Sequence, residues 1–421
     1  MASTRGVPRR FAVVALVVIV LVIGAAVAVV VADDDDGPSP AERAATCAQW
    51  TDPDASGATE PADDPERRAL ADGCLRLNHL QAIGSHNSYH RQPEPELFAA
   101  LQSFDSALAA SFEYSHSPLA TQFAEEGVRQ IELDVFADPA GGLYDTRVIH
   151  EVLGLPTDSG IPELEEPGFK VLHVQDVDFE STCWTFVQCL EQVKAWSDAN
   201  SDHVPLAILV ELKQDEIPDP LDLGFVTPHP IGAAELDALD AEIASVFPAE
   251  QVITPDDVRG DHATLDDAVT ADGWPKLGES RGKVLFLMDN GDPFRSTYLD
   301  GHPVLEGRML FTSAEPGDAD AAFIKRNDPT GENEEQIRDL VRRGYVVRTR
   351  ADADTVQART GDTSMRDAAL ASGAQWVSTD YPVEGRAAPF GSDYVARLPG
   401  PGPVRCNPVI TGPACRDDAI E

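Results

Sequence analysis

From residue 74 onwards, short apolar segments alternate with amphipathic stretches, and this alternation restricts the folds that are open to the chain. Near-continuous apolar segments separated by helix-like stretches predict parallel strands that are buried on both faces. A single TIM-like (β/α)8 barrel with long loops fits this α/β pattern. The sequence offers nine candidate strands, so one of them does not belong to such a barrel. A doubly wound open sheet is the alternative, although no GxGxxG sequence follows the first segment. The predicted strands span residues 80–83, 128–136, 170–174, 206–212, 283–288, 309–312, 323–325, 345–350 and 375–379.

The N-terminal part of the chain has a different organisation. Residues 11–32 form an apolar run that follows a basic stretch at 1–10, and this pattern predicts a transmembrane signal-anchor. A cleaved signal peptide is the alternative. Residues 33–73 are rich in Asp, Pro, Ala and Glu and predict an extended linker, and residues 74–421 are assigned to the barrel domain and its C-terminal tail. We therefore expect the domain outside the cytoplasm, either anchored by the N-terminal helix or secreted after cleavage.

Six cysteines agree with an exported protein, because an even number of cysteines in such a chain indicates disulfide bonds. Their clustering along the sequence predicts three local pairs. A zinc site is the alternative, but none of the spacings is CxxC. The predicted disulfides are Cys47–Cys74, Cys183–Cys189 and, in the tail, Cys406–Cys415.

The chain carries a formal net charge of −40. Nucleic acid is excluded as a partner, because neutralising its phosphates requires a basic surface. Electrostatic adhesion to anionic lipid is disfavoured for the same reason. The acidity suits a site for a divalent cation, but diffuse negative charge serves solubility first. We expect no protein partner and a monomeric state.

Polar side chains occur on and just after the first two predicted strands. His86 and Asn87 follow the first strand within residues 84–89, Gly-Ser-His-Asn-Ser-Tyr, and catalytic residues of α/β barrels collect at the C-terminal ends of strands. Glu132 and Asp134 alternate on the second strand, so both point to one face. Two such carboxylates need a cation or a shared proton, and a hard divalent ion with oxygen ligands meets that need. An exposed edge strand with outward polar residues is the alternative.

Two later strands carry charged residues in the same alternation. Glu211 ends an apolar strand and Lys213 lies on its face, which indicates a metal ligand beside a cation for substrate phosphate. A structural ion pair is the alternative. Arg348 and Arg350 also share a face, and arginine suits bidentate phosphate recognition. A salt-bridge network with nearby aspartates explains these two arginines equally well.

A second histidine could share proton transfer with His86. His173 follows the third predicted strand as His86 follows the first, and the two histidines flank the carboxylates of the second strand. Histidine exchanges protons near neutral pH, so the pair could divide acid and base duties. A packing role is the alternative for His173, and His150 is the second choice for the catalytic role.

With these residues, the chain resembles the X-domain of phosphoinositide-specific phospholipase C, above all its bacterial, secreted, calcium-dependent branch. The eukaryotic sequence Ser-Ser-His-Asn-Thr-Tyr is similar to residues 84–89, and the resemblance covers residues 78–385. Mg²⁺ is an alternative to Ca²⁺ as the bound ion, because both ions take oxygen ligands. The resemblance implies the calcium ligands Asn87, Glu132, Asp134 and Glu211 and the catalytic histidines His86 and His173.

The resemblance also implies an activity on a phospholipid at a membrane surface. The ion would acidify the inositol 2-hydroxyl, and Glu132 or another carboxylate would accept its proton. His86 would stabilise charge on phosphorus, and His173 would protonate the departing diacylglycerol, which leaves a cyclic inositol phosphate. Lysines that hold ring phosphates in the eukaryotic enzymes look replaced by Leu287 and Asp289, which favours unphosphorylated phosphatidylinositol.

Two other functions are open. Residues 374–382 are similar to the end of both this family and the glycerophosphodiester phosphodiesterases. A hydrolase of the second type would use the same histidines and a divalent ion on a deacylated substrate. A catalytically inactive barrel that acts as a cell-envelope binding protein would show gaps in the set of polar residues, and we see none.

Overall fold

The computed structural model describes residues 40–55, 64–219, 222–271 and 273–421. The strands are β1 (Leu80–Ser85), β2 (Val128–Phe136), β3 (Lys170–Val171), β4 (Leu206–Lys213), β5 (Val284–Met288), β6 (Leu310–Thr312), β7 (Phe323–Lys325), β8 (Val346–Arg350), β9 (Trp376–Thr379) and β10 (Val404–Cys406). The helices are α1 (Pro40–Thr51), α2 (Asp64–Cys74), α3 (Pro95–Phe104), α4 (Ser106–Ser111), α5 (Leu119–Ala124), α6 (Ile149–Leu153), α7 (Pro162–Glu165), α8 (Phe186–Ala199), α9 (Ala233–Val246), α10 (Pro255–Arg259), α11 (Leu265–Val269), α12 (Leu277–Ser280), α13 (Phe294–Tyr298), α14 (Glu332–Arg342), α15 (Val356–Thr360) and α16 (Ser364–Ala371). Short 3-10 helices span Leu77–His79, Ala249–Gln251, Ala388–Phe390 and Asp417–Ala419.

Eight of these strands form one barrel of parallel strands. Their order around the barrel is β6-β5-β4-β2-β1-β9-β8-β7. A parallel bridge between Ser313, just after β6, and Phe323 of β7 joins the two ends, so the barrel is nearly closed. The TIM-like α/β prediction is therefore confirmed, and the doubly wound open sheet is not formed.

Alternation along β2 separates the apolar exterior of the barrel from its polar interior. Ile131 and Leu133 are fully buried in the main apolar core, and burying each such side chain contributes roughly 1.5–3 kcal/mol. Glu132 and Asp134 alternate with them and so take the opposite face. Glu132 contacts Arg348 of β8, and β1 and β9 separate β2 from β8 around the barrel. The acidic face of β2 is therefore the barrel interior.

The predicted strand at 170–174 is not a barrel strand. Only Lys170 and Val171 are extended, and they pair antiparallel with the end of β2. Along β2, pairing with β1 ends at Gln130, because β2 is the longer strand and continues past the end of β1. The uncovered edge of β2 pairs with β3, and the chain then leaves as a loop that carries His173. Strand β10, antiparallel to β1, has no counterpart among the predicted strands.

Part of the predicted extended linker is helical. Helix α1 lies within residues 33–73, and helix α2 begins within them and ends at Cys74. Trp50 on α1 and Ala71 on α2 are buried in the main apolar core. These apolar residues explain why the acidic composition did not keep the segment extended. In the part of the chain that the structure describes, every helix is too short or too polar to traverse a bilayer. The basic stretch at 1–10 and the apolar run at 11–32 lie outside the described residues.

The three predicted disulfide pairings are all confirmed. They close short loops at three separate places in the domain and leave no free cysteine among the residues described. One pair ties α1 to α2, one holds the start of α8, and one holds the C-terminal tail. The bonds are Cys47–Cys74, Cys183–Cys189 and Cys406–Cys415.

Gly84 in β1 leaves room for polar groups inside the barrel. A Cβ atom there would lie 1.9 Å from Oε1 of Gln130, and the same amide oxygen accepts a hydrogen bond from Ser378 of β9. We expect Gly84→Ala to lower the free energy of unfolding by about 1–3 kcal/mol, the usual cost of extra volume in a packed interior. Urea denaturation measures this change.

The matched control is Gly73→Ala in α2, where nothing lies within 4 Å of the added methyl group. Alanine favours a helix over glycine by about 1 kcal/mol at most, so this variant should be as stable as the parent protein or slightly more stable. An equal loss of stability in both variants would contradict the role given to Gly84.

Candidate active site

Three carboxylates meet inside the C-terminal end of the barrel. Glu132 and Asp134 come from β2 and Glu211 from β4, and the parallel register places Asp134 directly beside Glu211. One oxygen from each carboxylate lies within 4.8 Å of the others. Glu132 and Asp134 are buried, and Glu211 is half-buried. Like charges at this distance in a poorly solvated site require a cation or a shared proton.

Several oxygen atoms in and beside this cluster lack hydrogen-bond donors. Oδ1 of Asp134 and Oδ1 of Asn87 are buried and accept no hydrogen bond, whereas Oδ2 of Asp134 is paired with Lys213. Asn87 adopts a left-handed backbone conformation with φ of 43° just after β1, and its Nδ2 donates to the Tyr114 hydroxyl 3.2 Å away. The next residue, Ser88, accepts a hydrogen bond from the backbone N–H of Glu132. These oxygen donors fit a hard divalent cation such as Ca²⁺.

Two basic side chains offset part of the negative charge. Arg348 pairs with Glu132, and Nζ of Lys213 lies 3.3 Å from Oδ2 of Asp134 and 3.2 Å from Oε1 of Glu211. Burial nevertheless raises the pKa of Glu132 to about 7. Burial also raises the pKa of Asp134 well above its ordinary value, and Lys213 opposes this only in part. The cluster is therefore short of positive charge, which a divalent cation would supply.

His86 has a well-defined hydrogen-bond partner on each ring nitrogen. Its Nδ1 lies 2.9 Å from Oδ1 of Asp380, and its Nε2 lies 3.3 Å from Nη1 of Arg350. Because an arginine only donates, these contacts assign the proton to Nδ1 and leave Nε2 as an acceptor. Burial, assisted by Arg350, lowers the pKa of His86 well below its ordinary value. The imidazole is therefore neutral and is backed by a carboxylate.

His173 lies in the loop after β3 and not at the end of a barrel strand. Its Nδ1 is 2.6 Å from Oδ2 of Asp178, which is fully buried. The His173 ring contacts the His90 ring, with centroids 5.6 Å apart. The His90 ring stacks on Tyr114, which also stacks at longer range on His86. A continuous row of rings therefore joins the two predicted catalytic histidines.

His150, the second choice for the catalytic role, lies elsewhere. Its Nδ1 contacts the carbonyl oxygen of Pro156 at 2.7 Å, and its Nε2 lies 2.7 Å from Oε1 of Glu94. The ring packs on Phe179. Both nitrogens are thus engaged away from the carboxylate cluster, and the geometry favours His173.

The two predicted substrate-binding arginines differ in their surroundings. Arg348 is buried and bonds Asn327 and Ser378 as well as Glu132, so it holds the barrel interior together. Arg350 faces His86 and also lies 3.4 Å from Oδ2 of Asp380, so it borders the site. The predicted alternative of salt bridges with nearby aspartates applies to Arg350, which pairs with Asp380, whereas the ionic partner of Arg348 is Glu132.

Four side chains of the site were not among the predicted site residues. Asp380 follows β9 directly, so the rule that functional groups follow barrel strands could have identified it. Nothing local marks the other three, because loop packing brings them to the site. They are His90, Tyr114 and Asp178.

Comparisons with known proteins identify the family. A family model described as phosphoinositide phospholipase C, Ca²⁺-dependent, matches residues 75–408. No curated protein matches the chain. Similar solved structures include a calcium-dependent phosphoinositol-specific phospholipase C from Pseudomonas sp., at 14% identity over 80% of this chain and 96% of that chain, with a TM-score of 0.48. Another is the Ca²⁺-dependent phosphatidylinositol-specific phospholipase C from Streptomyces antibioticus, at 19% identity over 73% and 95% of the two chains, with a TM-score of 0.45.

These solved structures are too distant to carry an argument, and the assignment rests on the family model, which spans most of the chain. Ca²⁺ is the cofactor of that family, and its members are enzymes that cleave a phosphodiester in phosphoinositides. The chain belongs to the Ca²⁺-dependent phosphoinositide phospholipase C family.

Proposed function

We propose that this protein cleaves phosphatidylinositol to diacylglycerol and a cyclic inositol phosphate by two-histidine acid–base catalysis. The observation that carries the proposal is the arrangement of two carboxylate-backed histidines around a cation-deficient carboxylate cluster. His86 is backed by Asp380 and His173 by Asp178. Such pairs set the tautomer of an imidazole and stabilise its charged form during proton transfer.

We assign the metal site to Asn87, Glu132, Asp134 and Glu211, whose buried oxygens fit Ca²⁺. Bound there, the ion would neutralise phosphate charge and acidify the inositol 2-hydroxyl. Mg²⁺ takes the same kinds of ligand, and the family assignment favours Ca²⁺.

The structure supports giving the role of base to His86. One oxygen of Glu132 is held by Arg348, whereas Nε2 of His86 carries a lone pair and is backed by Asp380. In this proposal the 2-hydroxyl oxygen attacks phosphorus and its proton passes to Nε2 of His86. Arg350, beside His86, contacts a phosphate oxygen as negative charge accumulates.

His173 acts on the other side of the phosphorus. Because Nδ1 donates to Asp178, its Nε2 is the nitrogen free to deliver a proton in the imidazolium state. As the bond between phosphorus and the glycerol oxygen breaks, Nε2 of His173 protonates that oxygen and diacylglycerol leaves. Water can then open the cyclic phosphate with the two histidines in reversed roles.

The barrel favours an unphosphorylated inositol ring. Leu287 is buried within β5, and Asp289 just after it pairs with Lys325 of β7. A carboxylate at this position repels ring phosphates, and the one lysine beside it is already paired.

The expected location follows from the disulfides. Three bonds in one domain favour an oxidising compartment. We therefore propose an extracytoplasmic enzyme that acts as a monomer on membrane phospholipid, without a protein partner.

The end of the barrel that holds the site also carries the exposed apolar side chains of the described chain. Phe104 is 72% exposed, and three other large apolar residues on the same rim are also exposed. Helices α3 and α4 follow β1, α6 follows β2, and α15 follows β8, so all four residues lie in connections that leave the C-terminal ends of strands. These residues are Phe104, Leu108, Val152 and Val356.

The helices that carry these residues form one continuous rim. Helix α3 packs against both α4 and α6. The hydroxyl of Thr355, next to α15, donates to the carbonyl of Ala110 in α4. Phe112, at the end of α4, contacts the His173 ring. We therefore propose that this apolar rim rests on the lipid surface and presents the site to phosphatidylinositol.

Hydrolysis of phosphatidylinositol vesicles, followed by ³¹P NMR, tests the function. We expect turnover with added Ca²⁺, loss of turnover with EDTA, and no turnover of glycerophosphoinositol. His86→Ala and His173→Ala should each reduce kcat about 10²- to 10⁴-fold, the usual contribution of one acid or base. Turnover of glycerophosphoinositol in preference to the lipid would instead support the glycerophosphodiester phosphodiesterase alternative, and activity that survives both substitutions would refute the two-histidine mechanism.

Calcium should stabilise the fold through the carboxylate cluster. We expect Ca²⁺ to raise the Tm of the parent protein, because a ligand that binds only the folded state stabilises it. Asp134→Asn should abolish this rise without lowering the Tm of the metal-free protein, since it also removes one of three crowded negative charges. Glu250→Gln, at an exposed position near the opposite end of the barrel, is the control and should keep the full rise. A calcium-dependent rise in Asp134→Asn would place the ion elsewhere.

The apolar rim predicts lipid binding that does not depend on charge. Replacing Phe104 and Leu108 together by serine should weaken binding to phosphatidylcholine vesicles at least about tenfold, because each side chain buries apolar area in the membrane. Co-sedimentation measures the bound fraction, with Glu250→Gln as the control. Unchanged binding in the double variant, or loss of parent binding in high salt, would rule out apolar docking.

A further inference from the structure

Asp178 accepts hydrogen bonds from two imidazoles at once. Its Oδ2 lies 2.6 Å from Nδ1 of His173, and Nε2 of His90 lies 2.9 Å and 3.0 Å from its two oxygens. Asp178 and His90 are both fully buried, whereas the His173 side chain is 19% exposed. The carboxylate thus connects one imidazole at the site to a second imidazole that no substrate can reach.

We propose that His90 is a positioning residue that fixes Asp178, and through it His173, against the end of β1. The inference rests on the proposed role of His173 as an acid. It assigns a function to a histidine that lies outside the reacting groups.

The backbone shows why a fixed point is needed here. His173 leaves the barrel on a loop after β3, a strand of two residues, and so lacks the support that β1 gives His86. Two backbone hydrogen bonds join this loop to the residues after β1, from Arg91 N–H to Glu180 O at 3.1 Å and from Thr182 N–H to Tyr89 O at 2.8 Å. They hold the far end of the loop, and Val174 and Asp178 exchange two backbone hydrogen bonds of 2.9 Å across the turn after His173. These bonds fix the backbone of Asp178, whereas the hydrogen bonds from His90 fix its carboxylate.

The His90 ring also connects the two halves of the site. Its face stacks on Tyr114 with centroids 4.2 Å apart, and the Tyr114 hydroxyl accepts from Asn87, a proposed metal ligand. A side chain at position 90 therefore has to donate to a buried carboxylate and fill the space beside Tyr114. An imidazole does both, because Nε2 lies at the outer end of a flat ring.

The two donors keep Asp178 ionised in a buried place. Burial raises the pKa of Asp178, but His90 and His173 outweigh this effect and hold the pKa below its ordinary value. Loss of the His90 donor would leave the carboxylate with His173 alone and with room to rotate. Nδ1 of His173 would then lose its fixed partner, and Nε2 would no longer point in one direction.

The test compares His90→Phe, which keeps a ring but removes the donor, with His90→Gln, whose amide can restore a donor near the Nε2 position. We expect His90→Phe to reduce kcat on phosphatidylinositol vesicles about 10- to 100-fold with KM changed less than threefold. We expect the kcat of His90→Gln to lie, on a logarithmic scale, at least halfway between that of His90→Phe and that of the parent protein. Such a split indicates misplacement of an acid and not loss of substrate binding.

His203→Phe is the matched control. His203 is also buried and bonded on both ring nitrogens, but it lies before β4, at the opposite end of the barrel. We expect this variant to lose Tm without a specific loss of kcat. Equal losses of kcat in His90→Phe and His203→Phe, or kcat within twofold of the parent in His90→Phe, would overturn the proposal.

Histidine ¹⁵N NMR supplies a readout that does not require activity. In the parent protein we expect His173 to carry its proton on Nδ1 and His90 on Nε2, and in His90→Phe we expect His173 to become a mixture of tautomers. A single Nδ1-protonated His173 in His90→Phe would also overturn the proposal. If the phenylalanine variant does not fold, His90→Leu, which also lacks the donor, is measured in its place with the same two outcomes. If the parent protein does not hydrolyse phosphatidylinositol, the proposed function fails while this measurement still decides whether His90 positions His173.

Discussion

Repulsion among three carboxylates inside the barrel is the constraint on which the rest of the site depends. The register of β2 and β4 places Asp134 beside Glu211, and alternation along β2 adds Glu132 to the same face. These positions follow from the strands and not from flexible side chains, so the negative charges cannot move apart. The apolar exterior of the barrel supplies the stability that tolerates this arrangement. Arg348 and Lys213 offset part of the charge, and Oδ1 of Asp134 remains without a hydrogen-bond donor.

The two histidines are supported in different ways, and this difference is built into the topology. His86 lies between the ends of β1 and β9, and its partner Asp380 follows β9, so two neighbouring barrel strands fix the pair. His173 depends on a loop, on Asp178 and on the packing of His90. The proposed base is therefore supported by the barrel itself, whereas the proposed acid needs support from side chains outside its own loop.

Local pattern predicted the part of the site that belongs to strands. Period-two alternation identified Glu132 and Asp134, and the ends of apolar segments identified His86 and Glu211. The segment at 170–174 misled the strand assignment, because an apolar run cannot show whether its partner is a barrel neighbour or the free edge of β2. Asp178 and His90 were not predicted as site residues for a related reason. Asp178 and His90 meet through loop packing across 88 positions of sequence, and no local pattern records such a contact.

The net charge of −40 connects the metal site to the way the enzyme meets its substrate. A strongly acidic protein attracts divalent cations and repels anionic lipid head groups, and phosphatidylinositol is such a lipid. Before the ion binds, the carboxylate cluster adds to this repulsion, and Arg350 is the cation beside His86 that can face a phosphate. The proposed apolar rim would attach the protein to the membrane without electrostatic attraction, so docking would not depend on the charge of the metal site. An ion held by Asn87, Glu132, Asp134 and Glu211 would offset this repulsion and would favour entry of an anionic phosphodiester.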